Sequence, residues 1–402
     1  MKIGTAVLAL SAVLALSLPP TLSAREIKVG VILSYSGGSA QLGQQIDRGM
    51  TLYYNEHKAE LGKDKLVLIK RDDKGPNADT AKVLAQELIT RDKVQMLSGF
   101  VYSPNIMAIA PMVNEAKVPT VIMNAGTAEI TTMSPYYARV SFSMWHAGYT
   151  MGRYAAQKLH YKTAAVGYTD YPPGKDSLAA FKAGFESAGG KVVDAIPMGG
   201  PAQVPDFTPF FQRVKNDKPD AFFVFVPAGA HAAAVAKTYS DLGMKAAGIA
   251  LIGPGDITQD TELSQMPKEA AGIVTSQHYD ADLDNPQNKA FVAAWKKAYG
   301  ADSTPDFMGE AGYDGMAAIF HAIKATKGAM KPDAVMASLK GWKFQAPRGP
   351  IEIDPATRDI VMNEYISEVV VKDGRLGIKT LDTVPGVKDP CKDLKLGPCA
   401  KH

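Results

Sequence analysis

The chain has 402 residues, 46% of them hydrophobic and 21% charged, a balance that excludes disordered, fibrous and multi-span membrane chains. Lys and Arg number 44 against 41 Asp and Glu, so a formal charge of +3 leaves no basic footprint for nucleic acid. Two cysteines are too few for a disulfide scaffold or a four-ligand zinc site, and the length suits two domains.

Lys2 is the only charge before Arg25; between them run an apolar stretch over 3–18, Pro19-Pro20 and the small pair Ser23-Ala24. This is the order of a secretory signal cleaved near Ala24, although Leu22 is large for the third position before the cut. A membrane span needs about 20 apolar residues, and this stretch stops short of that. The remainder is expected to be periplasmic. Export also gives the cysteines a reading, since an oxidising compartment lets Cys391 and Cys399 close a short loop in the tail DPCKDLKLGPCAKH.

Beyond the leader, apolar β-branched runs recur at 27–33, 66–70, 96–99, 118–123, 164–168, 191–196, 221–226 and 249–252. Helical spacing lies between them: Ala81, Leu84, Ala85, Leu88 and Ile89 share one face, as do Ile106, Ile109, Ala110 and Val113. Strands apolar on both faces, alternating with amphipathic helices, predict doubly wound α/β structure with parallel sheets. The rhythm pauses at the extended segments 134–143 and 274–284. After helices at 308–326 and 333–339 it turns to β character at 349–353 and 363–371. Three chain crossings between two lobes account for these pauses.

Catalytic templates are missing: no G-x-S-x-G elbow, no phosphate loop and no G-x-G-x-x-G turn. The seven histidines never pair at i,i+4 with an acid, so no zinc-protease helix is present. Asp72-Asp73 read as strand-end residues on a polar rim. The expectation is a binding protein, not an enzyme, with no cofactor and no metal.

A carboxylate clamp is legible instead. The strand at 96–99 leads into Tyr102-Ser103-Pro104, with Ser103 as expected N-cap and Pro104 as first helical residue. The strand ending at Met123 delivers Asn124, Ala125, Gly126 and Thr127 to the same sheet edge, the glycine allowing close approach of a ligand.

These residues, with IKVGVILSYSGGSAQLG at 27–43, RDD at 71–73, GYDGMAAIFHAI at 312–323 and APRGPIEIDPATRDIVMNEYI at 346–366, resemble the type I periplasmic binding proteins of ABC importers, in particular the leucine/isoleucine/valine-binding branch. The resemblance covers essentially the whole mature chain. It implies two Rossmann-like lobes joined by a three-strand hinge and closing on a ligand. The expected division is a signal peptide at 1–24, lobe 1 at 25–142 plus 275–348, lobe 2 at 143–274 plus 349–380, and a tail at 381–402. It further implies that Ser103 and Thr127 bind a small ligand carboxylate, helped by the backbone of Asn124–Gly126, and that lobe 2 supplies an aromatic, Tyr171. Tyr102 and Trp145 face the cleft by position or else belong to the core.

One departure stands out. Amino-acid binders of this branch place an acid in the turn that here reads Gly253-Pro254-Gly255-Asp256, and their early aromatic falls at Leu42. If Asp256 reaches the cleft, the resemblance implies a hydrophobic amino acid, branched-chain or aromatic, as ligand. If it does not, an aromatic carboxylate lacking the amine fits better, because a buried ammonium without an acid is costly. The expected partner is an inner-membrane ABC permease, with the binding protein monomeric. A ligand-sensing domain and an exported hydrolase are the alternatives of other classes.

Overall fold

A computed structural model describes residues 24–401. The expected leader falls, but for Ala24, outside them. Lobe 1 is built on five parallel strands, β1 (Glu26–Leu33), β2 (Lys65–Asp72), β3 (Met96–Gly99), β4 (Thr120–Ile122) and β5 (Tyr137–Arg139), in the order β2-β1-β3-β4-β5. Lobe 2 repeats this with β6 (Thr163–Tyr168), β7 (Lys191–Pro197), β8 (Ala221–Phe225), β9 (Ala250–Pro254) and β10 (Val274–Gln277), in the order β7-β6-β8-β9-β10. The hairpin of β11 (Lys343–Ala346) and β12 (Gly349–Ile353) then joins the long antiparallel pair β13 (Ile360–Lys372) and β14 (Arg375–Val387).

The strands form where the sequence is apolar on both faces. Val29, Val31, Ile32 and Leu33 of β1 and every residue of β8 are buried, each large side chain contributing about 1.5–3 kcal/mol. The helix Ala78–Thr90 buries Ala81, Ala85 and Leu88, and Asn77 caps it by accepting from the Thr80 N–H at 3.0 Å. The second amphipathic face is split into helices Ser103–Ala108 and Ala110–Ala116. Pro111 lacks the N–H that would continue the first helix.

The second and third crossings fall later than the expected division. The extended segment 274–284 begins as β10, paired to β9 and β13, so the chain leaves lobe 2 only after Gln277 and not at 275. The β11–β12 hairpin lies against lobe 1: Phe344 meets Tyr53 edge-on, centroids 6.4 Å apart, and neighbouring Trp342 stacks on His321 at 5.5 Å. The final crossing is therefore at 354–359 and not at 349. β14 runs to Val387, which assigns 381–387 to lobe 2 instead of the tail. Among the described residues, no helix is long and apolar enough to cross a membrane.

Candidate functional site

Both sheets reverse strand order beside their first strand, at β1/β3 and at β6/β8, and open α/β sheets bind ligands beyond the carboxyl ends of such strands. The two reversals face one another across the cleft. From lobe 1 come the turns after β1, β3 and β4; from lobe 2 come the turns after β6, β8 and β9.

The turn after β3 opens on Phe100 at φ 67°, a left-handed conformation costing a non-glycine residue about 1–2 kcal/mol. That bend leads the chain through Val101 and Tyr102 to Ser103, all three buried. Tyr102, extended at φ −106° and ψ 133°, is the N-cap; Ser103 is the first helical residue and Pro104 the second, one position later than expected. Ser103 Oγ accepts from the Thr127 N–H at 3.1 Å, which leaves its own proton free to donate. Thr127 is buried, and its Oγ1 has no hydrogen-bond partner. An unmet buried hydroxyl costs about 1–3 kcal/mol, a cost that a ligand oxygen would remove.

The turn carrying Thr127 is held from every side. The Ala125 N–H donates to the Phe100 carbonyl at 3.1 Å, and the Gly126 carbonyl accepts from the Met144 N–H at 2.8 Å. Arg139 Nη1 donates to the carbonyls of Ala125 at 3.0 Å and Thr127 at 2.7 Å. Asp176, from lobe 2, accepts from the Ala128 N–H at 2.7 Å. Burial pushes the Asp176 carboxyl up to about 6. A Cβ on Gly126 would lie 3.1 Å from Met144 Sδ and 3.3 Å from the Phe142 ring, so the first crossing packs directly on this glycine. Asn124 Nδ2 donates to the Val101 carbonyl at 2.7 Å, while its Oδ1 is buried without a partner.

Lobe 2 contributes Tyr171, half-buried and stacked on Phe225 with centroids 6.1 Å apart. It starts the helix Pro172–Ser187 as N-cap. A Cβ on Gly174 would meet the Thr169 carbonyl oxygen at 1.8 Å, so only glycine lets this helix seat against the end of β6. Burial, then the nearby Tyr102 and Asp256, raise the Tyr171 hydroxyl well above its ordinary value. Tyr171 thus lies near Tyr102 of lobe 1 and near Asp256 of its own lobe. Tyr102 is itself fixed by a 2.7 Å hydrogen bond between its hydroxyl and Ser39 Oγ. Asp256 is buried in the turn after β9, and burial pushes its carboxyl up to about 7.

Trp145 packs with Ala128, Ala180, Cys391 and Cys399, and a Cβ on Gly397 would touch its ring at 2.5 Å, the core placement left open by the sequence. One reading needs correction. Asp73 is not on a rim but fully buried, accepting from Ser34 Oγ at 2.6 Å, Asn105 Nδ2 at 2.8 Å and the Gly75 N–H at 3.1 Å. It ties the end of β2 to the helix carrying Ser103. Cys391 and Cys399 are disulfide-bonded as expected. Sequence reasoning missed Ser39, Asp176, Phe225 and Arg139; only Arg139, a lone cation in the apolar run YYARVSF, carried a visible signal.

Between the lobes lies a groove of about 710 Å³, lined by Gln41 and Gln45 of lobe 1 and by Thr261, Ser264 and Arg375 of lobe 2. Among the described residues, no group of three or more His, Cys, Asp or Glu is arranged to hold a metal ion.

Residues 26–375 match the family model described as periplasmic binding protein. The chain belongs to that family. This periplasmic binding protein is 39% identical over 367 residues, 90% of its length and 93% of the relative's, to Leu/Ile/Val-binding protein homolog 6 of Brucella melitensis. It superposes at TM-score 0.87, with 44% identity over 91% of its length and 99% of the other chain, on the solute-binding protein of an ABC transporter from Rhodopseudomonas palustris BisB5 in complex with 3,4-dihydroxybenzoic acid. A second such protein, from R. palustris HaA2 in complex with p-hydroxybenzoic acid, gives TM-score 0.86 and 40% identity over 90% and 98% of the two chains. The fold and the family expected from the sequence are both borne out, and the chain is an ABC solute-binding protein.

Proposed function

We propose that this protein captures an aromatic carboxylate of the hydroxybenzoate class outside the cytoplasm and presents it to an inner-membrane ABC permease. The observation that carries the reading is the unpartnered Thr127 Oγ1 beside the free proton of Ser103, facing the Tyr171–Asp256 pair across the cleft. The two hydroxyls donate to the ligand carboxylate, a charged acceptor, for about 1.5–3 kcal/mol each. Tyr102 and Tyr171 flank a ring, and Asp256, neutral up to about pH 7, meets a ring hydroxyl at the far end. Closure of lobe 2 on the hinge then excludes water. The hydroxybenzoates bound to the relatives at 44% and 40% identity support this class.

The second reading is a hydrophobic amino acid. It is favoured by the placement of Asp256 in the cleft, where an ionised carboxylate would pair an ammonium, and by the name of the 39% identical relative. Isothermal titration with 4-hydroxybenzoate, benzoate, leucine and phenylalanine separates the two. Tight binding of 4-hydroxybenzoate with none of leucine is expected; the reverse overturns the aromatic reading in favour of the second.

A further inference from the structure

The C-terminal loop closed by Cys391–Cys399 packs at the back of the cleft and touches both lobes. Lys392 projects from it, its side chain only 7% exposed. All three of its ammonium protons are committed: one to the Ala128 carbonyl, one to Asp359 Oδ2 at 2.5 Å and one to Asp389 Oδ2 at 2.8 Å. Asp359 also accepts from Arg139 Nε at 2.6 Å and from Thr131 Oγ1 at 3.0 Å. The tail therefore reaches, through one side chain, the residue next to Thr127.

The N–H groups of Ala125, Thr127 and Ala128 and the carbonyls of Ala125, Gly126 and Thr127 have the partners described above, and Lys392 supplies the donor to the Ala128 carbonyl. We infer that Lys392 is a positioning residue for ligand binding: held by the disulfide-closed tail, it completes the fixation of the Ala125–Ala128 turn and so presets the Thr127 hydroxyl. This deepens the carboxylate reading above and rests on it. The physical ground is preorganisation, because a turn already fixed in its binding geometry loses little conformational entropy when the ligand arrives. Without Lys392 the Ala128 carbonyl and one oxygen each of Asp359 and Asp389 lose a buried donor. Trp145 and Ala180 of lobe 2 pack on the two cysteines of the same loop.

Two measurements on the full mature chain test this. In ligand-free protein, Lys392→Met is expected to speed amide exchange at 125–128 while leaving β1 unchanged. The paired variant Cys391→Ser with Cys399→Ser, which keeps the ammonium, is expected to do the same to a smaller degree and serves if Lys392→Met does not fold. In titrations with 4-hydroxybenzoate, Lys392→Met is expected to weaken binding about tenfold, equivalent to about 1.4 kcal/mol. In a Thr127→Val background it should add little, since the residue it positions is gone. Unchanged exchange at 125–128, or an equal loss in both backgrounds, overturns the inference. Failure of wild-type protein to bind 4-hydroxybenzoate would instead remove the ligand reading, and the exchange result would still decide whether Lys392 holds the turn.

Discussion

Thr127 and Arg139 sit in the same few ångströms and carry opposite burdens. Thr127 Oγ1 has no partner, so Thr127→Val removes nothing from the ligand-free fold. Calorimetry with the ligand is expected to show about ten- to thirtyfold weaker binding, the order of one charge-assisted hydrogen bond, with a ligand-free unfolding midpoint that rises because the unmet hydroxyl is gone. Arg139 is fully buried against Asp359, and Arg139→Met removes that partner and the donor to the Ala125 and Thr127 carbonyls, leaving Asp359 to Lys392 and Thr131. Chemical denaturation should show a loss of about 3 kcal/mol, the lower end for a broken buried pair because one cation remains. Asp256 separates the ligand classes by pH. Its raised value of about 7 means that a ligand held by the neutral carboxyl binds less tightly as pH rises through 7. A ligand pairing an ammonium with the ionised form binds more tightly over the same range. Titrations at pH 6 and pH 8 should show weaker binding of 4-hydroxybenzoate at pH 8, and Asp256→Asn should flatten that dependence. These residues were partly legible: Ser103 and Thr127 follow directly from strand ends in the sequence. Arg139 and Asp359 are 220 positions apart, and no local pattern announces that they meet.

At the level of elements, the lobe 1 helices Ala40–His57 and Phe307–Ala325 pack backbone to backbone. A Cβ on Gly49 would lie 1.8 Å from the Gly309 carbonyl oxygen, and one on Gly312 would lie 2.1 Å from that of Ile46. Gly49→Ala is expected to cost the upper part of about 1–3 kcal/mol, read by urea unfolding, because backbone cannot swing aside as a side chain can. Parallel strands such as β1 and β8 were readable because both their faces are apolar. β14 was not, since most of its residues are exposed and it offers no apolar run. β5, three residues long inside an extended segment, is a strand only because β4 lies beside it. The crossings were legible as pauses, but their limits depend on which neighbour an extended segment pairs with.

For the whole molecule, buried carboxyls set the response to pH. Burial pushes Glu364 and Glu262 up to about 8 and Asp306 and Asp280 up to about 6. A folded pKa above the unfolded one gives stability that is full below the unfolded value and is lost as pH rises through the folded value. Asp359 runs the other way: burial works to raise it, but Arg139 and Lys392 outweigh that and hold it well below the usual carboxylate range. Its contribution is lost only in strong acid. The melting temperature is therefore expected to fall between pH 5.5 and pH 8.5 in a scanning experiment; a rise across that window would contradict these assignments. The three crossings bear on something else, the order in which the chain can fold as it is made. The lobe 1 sheet is complete in sequence at Arg139, yet Ile46, Gly49 and Met123 also pack against the helix Phe307–Ala325, which is made much later. The five parallel strands of lobe 2 have all been synthesised by Gln277, so the half of the protein that is begun first cannot be finished until the other is nearly whole.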